Sequence, residues 1–186
     1  MNTNLSVATW LKQAQSKLEQ AGIGTARLDA LVLLEDALNT NRAQLLAHPE
    51  RELTKAQQTK LDRQIARRTR HEPLAYIRGH TEFYGRDFTI TKSVLEPRPE
   101  SETMIELLKA LPWPRRTMHI ADVGTGSGAL GITASLELGV TVDLLEIDEA
   151  AIKVAKKNVI KFATDNSVIR SDLLAGSPRH YDVLLC

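Results

Sequence analysis

The chain has 186 residues, which is enough for one large domain or two small ones. Hydrophobic residues make up 42% of it, and the formal net charge of +1 gives no global field that would favour a nucleic acid or a membrane. The single cysteine, Cys186, excludes an internal disulfide framework. The N-terminus lacks the pattern of a secretory signal, and no apolar run reaches membrane-spanning length. We therefore expect a cytoplasmic protein.

Residues 1–78 are predicted to form a helical domain. Apolar residues recur at helical spacing over 7–18 and again over 28–38, where Thr25 is a possible N-cap. Thr54 and Gln57 have the spacing of a capping box, in which two side chains satisfy the first backbone N–H groups of a helix. A fourth helix is therefore expected to begin at about this point.

Residues 79–98 lack the helical spacing of the preceding segment and predict a β-hairpin linker. Two short β-prone runs, "TEFY" and "DFTIT", flank Gly85. The rigid, acidic run "EPRPESE" follows. Pro99 suits the first turn of a helix, and Glu100 and Glu102 lie favourably near the positive end of the helix dipole.

Strands and helices alternate in the rest of the chain, residues 99–186. The predicted strands are "HIADV", "VTVDLLEI", "SVIR" and "YDVLL", and the helices between them are "ALGITASLEL" and "EAAIKVAKKNVIKF". Such alternation predicts a parallel sheet wound by right-handed crossovers. We therefore expect an open α/β domain.

The loop "DVGTGSG" has the context of a nucleotide-binding loop. Gly124, Gly126 and Gly128 come directly after a predicted strand and before a helix. The same stretch contains Gly126-x-Gly128-x-x-Gly131, which matches the dinucleotide fingerprint. In both registers Glu146, at the end of the second strand, could accept hydrogen bonds from ribose hydroxyls. The glycines alone leave the ligand open.

Two further acids favour S-adenosyl-L-methionine. The Asp122 carboxylate would repel a diphosphate but suits a ligand that carries an ammonium and a sulfonium, as this cofactor does. Asp172, after the third strand, could accept from the adenine amine. The alternative is that Asp122 caps the next helix and Asp172 begins a turn. We favour the cofactor interpretation because the three strand-end acids and the loop agree.

Four segments follow one another along the chain: "RRTRHEPLAYIRGHTEFYGRDF", "VLEPRPESE", "DVGTGSGALGI" and "SDLL". In that order they resemble the bacterial peptide chain release factor glutamine methyltransferases of the HemK type. Those enzymes use S-adenosyl-L-methionine to methylate the glutamine side-chain amide of a Gly-Gly-Gln motif. The resemblance implies a helical substrate-recognition domain, a β-hairpin linker and a partial Rossmann-like class I methyltransferase domain with a parallel sheet.

The resemblance also implies which residues bind the cofactor. The loop would wrap its methionine end, Glu146 would hold the ribose with Asp148 as the fallback, and Asp172 and Leu173 would border the adenine. The complete implied set is Asp122, Gly124, Thr125, Gly126, Ser127, Gly128, Glu146, Asp172 and Leu173.

On the substrate side, the resemblance places Pro97, Arg98 and Pro99 in the floor near the cofactor, and Phe83 could wall the site. Two alternatives remain. Arg98 could be a structural clamp on Glu100 or Glu102, and Phe83 could simply pack the hairpin against the core.

No residue is assigned a catalytic role. An amide nitrogen is a poor nucleophile, so it must be oriented by acceptors, and in the family an Asn-Pro-Pro-Tyr motif does this. That motif would directly follow Cys186, so we expect this chain to be a catalytically incomplete fragment. The five histidines have no metal-ligand spacing, so no metal is expected.

The resemblance names a release factor as the protein partner in translation termination, without membrane or direct nucleic-acid binding. A basic run could contribute to that contact, although a solvated helix face is the favoured interpretation. Its members are Arg63, Arg67, Arg68, Arg70 and His71. The alternative functions are a nucleic-acid adenine methyltransferase, an NAD-binding oxidoreductase and a non-catalytic release-factor-binding module.

Overall fold

The structure is a computed structural model, and it describes residues 5–112, 118–175, 177 and 179–186. The chain divides into two compact units between Arg78 and Gly79. The described part of the N-terminal unit consists of helices, as the sequence predicts: α1 (Val7–Gln20), α2 (Ala26–Leu38), α3 (Arg42–Ala47), α4 (Lys55–Arg68) and α5 (Leu74–Arg78).

The helix starts of this unit follow local capping chemistry. Thr54 and Gln57 form the predicted capping box at the start of α4. Thr25 precedes α2, but its side chain makes no capping hydrogen bond. The apolar spacing over 28–38 predicts that Leu28 faces the core, but Leu28 is 46% exposed, while Leu33 is fully buried. The buried face of α2 is therefore set by its packing partners.

Two arginines of the basic run hold this unit together. Arg67 forms a two-pronged ion pair with Glu72, with N···O distances of 2.6 and 2.8 Å. Arg68 Nε lies 2.6 Å from Oδ2 of Asp29, whose side chain is buried. A planar guanidinium suits such pairs with carboxylates. Part of the basic run therefore has a structural role.

The C-terminal unit begins with the predicted hairpin, β1 (His80–Phe83) and β2 (Arg86–Thr89), which pair antiparallel with Phe83 opposite Arg86. The turn residues Tyr84 and Gly85 both have positive φ, as a tight two-residue hairpin requires. A short 3-10 turn, Pro99–Ser101, then leads into α6 (Glu102–Ala110).

The remaining strands form one parallel sheet. They are β3 (Ile120–Val123), β4 (Val142–Glu146), β5 (Ser167–Arg170) and β6 (Val183–Leu185), in the order β5-β4-β3-β6, with α7 (Ala129–Leu138) and α8 (Glu149–Phe162) between them in sequence. The predicted α/β fold is confirmed. Strand order reverses at β3, and ligands of such sheets bind at the carboxyl ends of the strands at that point.

Over the described ranges, none of the helices is long and apolar enough to cross a bilayer. Those same ranges hold no group of three or more His, Cys, Asp or Glu residues that could bind a metal ion.

Candidate cofactor site

The glycine loop lies at the reversal point, between the end of β3 and the start of α7. Gly124, Gly126 and Gly128 have φ angles of +71°, +56° and +81°, in the left-handed region that favours glycine. A Cβ added at Gly124 would meet no atom within 4 Å, so this side of the loop is open. The alternating glycines are therefore required by the path of the backbone, and they leave room for a ligand.

Asp122 is buried directly beneath this loop. Its Oδ2 accepts hydrogen bonds from Thr125 Oγ1 at 2.5 Å and from the backbone N–H of Gly131 at 2.9 Å. Because Gly131 lies in the first turn of α7, Asp122 caps that helix, as the alternative interpretation held. Capping does not exclude a second role, since the same side chain also lines the cavity described below.

The burial of Asp122 changes its acidity. The pKa of its carboxyl is raised to about 6: burial is the largest cause and the neighbouring Glu146 carboxylate adds to it, while the two hydrogen bonds oppose the rise. The ionised form of a carboxyl group this far from water is strongly stabilised by a cation beside it. The position therefore favours a positively charged ligand group.

The Asp122→Asn variant is expected to change how stability depends on pH. The folded chain holds the Asp122 proton up to about pH 6, whereas the unfolded chain releases it near pH 4. As pH rises between these values, the wild type should lose about 3 kcal/mol of unfolding free energy relative to the variant. Denaturant unfolding of both proteins from pH 4 to pH 7 measures this. Parallel pH profiles would contradict it.

Glu146 ends β4 and braces the loop from the other side. Its Oε2 accepts from the N–H of Gly126 at 3.0 Å, and its Oε1 accepts from the N–H groups of Ile147 and Asp148 at 2.9 and 3.1 Å. A carboxylate oxygen can accept more than one hydrogen bond, so the ribose role stays a prediction. The Asp148 side chain instead caps α8 through the N–H of Ala151.

A cavity of about 160 Å³ opens beside the loop. Asp122 and loop residues 124–127 line it, together with three of the predicted substrate-side residues, Phe83, Pro97 and Arg98. Cys186, which follows β6, lines it as well. Thus the structure brings together residues from the hairpin, from the Pro-Arg-Pro segment, from β3 and from the end of β6.

Some predicted site residues lie elsewhere. Glu146 contacts the loop from outside the cavity, Gly128 ends the loop outside it, and the described residues Pro99, Asp172 and Leu173 do not line it. Leu173 is 71% exposed. The predicted adenine contacts of Asp172 and Leu173 therefore stay predictions.

Arg98 is exposed at the edge of the cavity. In the described part of the chain it makes no ion pair with Glu100 or Glu102, as the clamp alternative would require. Glu102 instead accepts from the backbone N–H of Tyr84 at 2.7 Å. Phe83 is buried edge-to-face against Phe88, as the packing alternative predicts, and it also lines the cavity, so its place in a wall of the substrate site stays a prediction.

Asn158 is a site residue that the sequence interpretation missed. It is fully buried on α8, and its Nδ2 donates to the carbonyls of Ser127 at 2.8 Å and Thr89 at 2.9 Å. Its Oδ1 accepts from the N–H of Thr89 at 2.9 Å. The amide thus ties the glycine loop to the hairpin. The signal was available, because Asn158 falls in helical register with the buried Val154 and Ala155.

Gly131 has a packing role. An added Cβ would lie 2.3 Å from Leu144 Cδ2 and 2.8 Å from Asp122 Cβ, so α7 packs on the sheet only if this residue has no side chain. Close helix–strand packing is also what the third glycine of the dinucleotide fingerprint provides. The Gly126-x-Gly128-x-x-Gly131 match is therefore explained without a dinucleotide.

The glycine loop after β3 in a parallel sheet of this strand order agrees with what sequence comparison finds. Residues 100–186 match the family described as "Methyltransferase small domain". The C-terminal unit is accordingly a methyltransferase domain with a Rossmann-like sheet. Residues 9–79 match the family described as "PrmC N-terminal domain".

Curated relatives are similar to both units of the chain. A release factor glutamine methyltransferase from Koribacter versatilis is 39% identical over 175 residues, covering 92% of this chain and 62% of the relative. A release factor glutamine methyltransferase from Coxiella burnetii is 43% identical over 136 residues, covering 72% and 49%. Over most of its length the chain is therefore similar to release factor glutamine methyltransferases. It spans about half to two thirds of the length of these two relatives.

Among solved structures, the chain is similar to the Thermus thermophilus 16S rRNA N2 G1207 methyltransferase solved with AdoMet and guanosine. The identity is 22% and the TM-score 0.47, over 56% of this chain and 30% of the other.

Proposed function

We propose that the C-terminal unit binds S-adenosyl-L-methionine at the cavity beside the glycine loop. One observation carries the proposal: the buried carboxylate of Asp122 lines the same cavity as an open loop whose glycines leave room for a ligand. The loop follows β3, whose penultimate residue is Asp122, and this acid disfavours a diphosphate and suits a ligand with two cationic groups. In this proposal Glu146, Asp172 and Leu173 hold the adenosine part.

We further propose that the whole protein methylates the glutamine amide of the Gly-Gly-Gln motif in peptide chain release factors, in the cytoplasm. The relatives' names support this substrate. When bound, the cofactor supplies an electrophilic methyl group. Asp122 would hold the cationic ligand in place, and the buried Phe83 would keep water from one wall. We assign no residue of this chain to orienting the amide.

Two properties of Asp122 link the geometry to binding. An ionised carboxylate stabilises a cation most where water is excluded, and Asp122 is 3% exposed. A cation bound beside it lowers the pKa of its carboxyl, so binding near pH 6 releases a proton. A neutral ligand would gain no such stabilisation and would release no proton on binding.

The test is a calorimetric titration of the chain with S-adenosyl-L-methionine, with NAD as the comparison ligand. We expect saturable binding of the former alone. Asp122→Asn should weaken it about tenfold, because a charge-assisted contact worth roughly 1.4 kcal/mol is lost. Titration at pH 6 in buffers of different ionisation enthalpy should reveal proton release in the wild type only.

The alternatives give different results. NAD binding without S-adenosyl-L-methionine binding would favour an oxidoreductase and overturn the proposal. Equal affinity of the wild type and Asp122→Asn, with no proton release, would show that Asp122 does not contact the cofactor. Lys157→Ala is the matched control, because this exposed lysine lies on α8 next to Asn158 and its side chain does not line the cavity.

A further inference from the structure

The two oxygens of the buried Asp122 carboxylate have different surroundings. Oδ2 accepts two hydrogen bonds, from Thr125 Oγ1 at 2.5 Å and from the N–H of Gly131 at 2.9 Å. Oδ1 accepts no hydrogen bond from any residue in the described part of the chain. Because each carboxylate oxygen has two lone pairs and Asp122 lines the cavity, Oδ1 is the atom that this residue can offer to a ligand.

The fold of the loop holds the Thr125 hydroxyl in place. The backbone N–H of Thr125 donates to the carbonyl of Leu145 at 3.0 Å, and its carbonyl accepts from the N–H of Gly128 at 2.8 Å. Thr125 is buried, and a β-branched side chain has few rotamers once its backbone is fixed. Among the described side chains, Thr125 alone donates a hydrogen bond to Asp122. Its hydroxyl proton is therefore committed to Oδ2.

This hydrogen bond restricts the orientation of the carboxylate. Rotation about the Cβ–Cγ bond of an aspartate is soft, and the Gly131 N–H alone would hold Oδ2 at a single point. The Thr125 hydroxyl supplies a second point on the same oxygen. Both protein donors are thus kept on Oδ2, and Oδ1 remains free for a ligand.

The same hydrogen bond favours the ionised form of Asp122. Burial and the Glu146 carboxylate on β4 raise the pKa of the Asp122 carboxyl, and the bond from Thr125 is the larger of the two that lower it. The other described titratable side chains at the cavity, from the segment before α6 and the residue after β6, are Glu96, Arg98 and Cys186. Without the Thr125 hydroxyl, the site would lose its negative charge at a higher pH.

We propose that Thr125 is a positioning residue of the cofactor site, whose hydroxyl fixes the orientation of the Asp122 carboxylate and sets the pH range in which the site holds a cation. Thr125 acts through Asp122, so its hydroxyl needs no contact with the ligand. The inference rests on the proposed function, because the cation is a charged group of S-adenosyl-L-methionine. It deepens that function by stating how binding depends on pH.

The experiment measures S-adenosyl-L-methionine affinity by calorimetry from pH 5 to pH 9 in three variants. Thr125→Val preserves the shape of the side chain but removes the donor, and Thr125→Ser retains the donor. Thr133→Val is the matched control, because it makes the same chemical change at a buried residue of α7 outside the cavity. Within the described residues, the Oγ1 atom of Thr133 has no hydrogen-bond partner.

Thr125→Val should bind the cofactor about tenfold more weakly at pH 7, because a hydrogen bond to a charged group is lost. On acidification its affinity should also begin to fall about one pH unit earlier than that of the wild type, since the ionised carboxylate has lost a donor. Thr125→Ser should restore most of the affinity and the wild-type pH profile. Thr133→Val should change neither.

A double variant separates positioning from packing. In an Asp122→Asn background, Thr125→Val should weaken binding by less than about twofold, because no carboxylate is left to orient or to ionise. An equal loss of affinity in both backgrounds would show that Thr125 only supports the fold, and it would overturn the proposal. A wild-type pH profile in Thr125→Val would overturn it as well.

A measurement without ligand distinguishes failure of this inference from failure of the proposed function. NMR titration of the Asp122 carboxyl should show a midpoint about one pH unit higher in Thr125→Val than in the wild type, and an unchanged midpoint in Thr133→Val. An unchanged midpoint in Thr125→Val would overturn the inference even if the cofactor binds. A raised midpoint in a protein that does not bind the cofactor would overturn the proposed function while supporting the role of Thr125.

Discussion

Replacement of Gly131 by alanine is expected to destabilise the C-terminal unit by about 3 kcal/mol or more. The new Cβ would lie 2.3 Å from Leu144 and 2.8 Å from Asp122, which is closer than side-chain atoms can approach. To make room, α7 must shift away from β3 and β4. That shift would break the hydrogen bond from the Gly131 N–H to Asp122 and disturb the cofactor loop.

The measurement is thermal unfolding with a matched control in the same helix. Gly139→Ala adds the same methyl group at the C-cap of α7, where a Cβ meets no atom within 4 Å but φ is +68°. Its expected cost is only about 1 kcal/mol, from the left-handed backbone. Gly131→Ala should lower the melting temperature by more than about 10 °C. Similar values for the two variants would contradict the packing argument.

Asn158→Leu is expected to have a comparable effect through hydrogen bonds. The substitution leaves the N–H and carbonyl of Thr89 and the carbonyl of Ser127 without their partner in a buried place. Each such group costs about 1–3 kcal/mol, so a total loss of about 3 kcal/mol or more is expected. The loop should also lose its fixed distance from the hairpin, and S-adenosyl-L-methionine affinity should fall at least tenfold.

Two further variants make this prediction specific. Asn158→Asp retains an acceptor for the Thr89 N–H but cannot donate to either carbonyl, so it should also weaken binding. Lys157→Ala alters the adjacent exposed residue and should leave both stability and binding unchanged. Affinities are compared at a temperature at which each variant is folded by circular dichroism. If a folded Asn158→Leu protein bound S-adenosyl-L-methionine with wild-type affinity, the hydrogen bonds of Asn158 would not be what positions the loop.

The elements of the fold could be predicted because their signals are local. Thr54 and Gln57 lie three residues apart and cap α4 directly, so their spacing predicted the contact. Alternating strands and helices predicted the parallel sheet, since a right-handed crossover is the usual way to join parallel strands. The glycine loop could be recognised because positive φ angles restrict the residue type at each position.

The contacts of the site could not be predicted to the same degree. Asp122 stood out by its place at the carboxyl end of a strand, but neither its hydrogen bond from Gly131 nor the rise in its pKa can be read from the sequence. Similarly, Arg67 and Arg68 belong to what the sequence presents as one basic run. Only the fold shows that Glu72 and Asp29 neutralise them, whereas Arg63 of the same run is exposed.

The sequence by itself thus determined the helices, the strands and the family resemblance, all of which depend on residue type at short spacing. The tertiary structure decided which side chains hold the loop. Asn158 bonds to residues 31 and 69 positions away, and no periodicity in the chain relates such distant residues. Burial then decided the acidity of Asp122, because the pKa of a carboxyl depends on the water that the fold removes from around it.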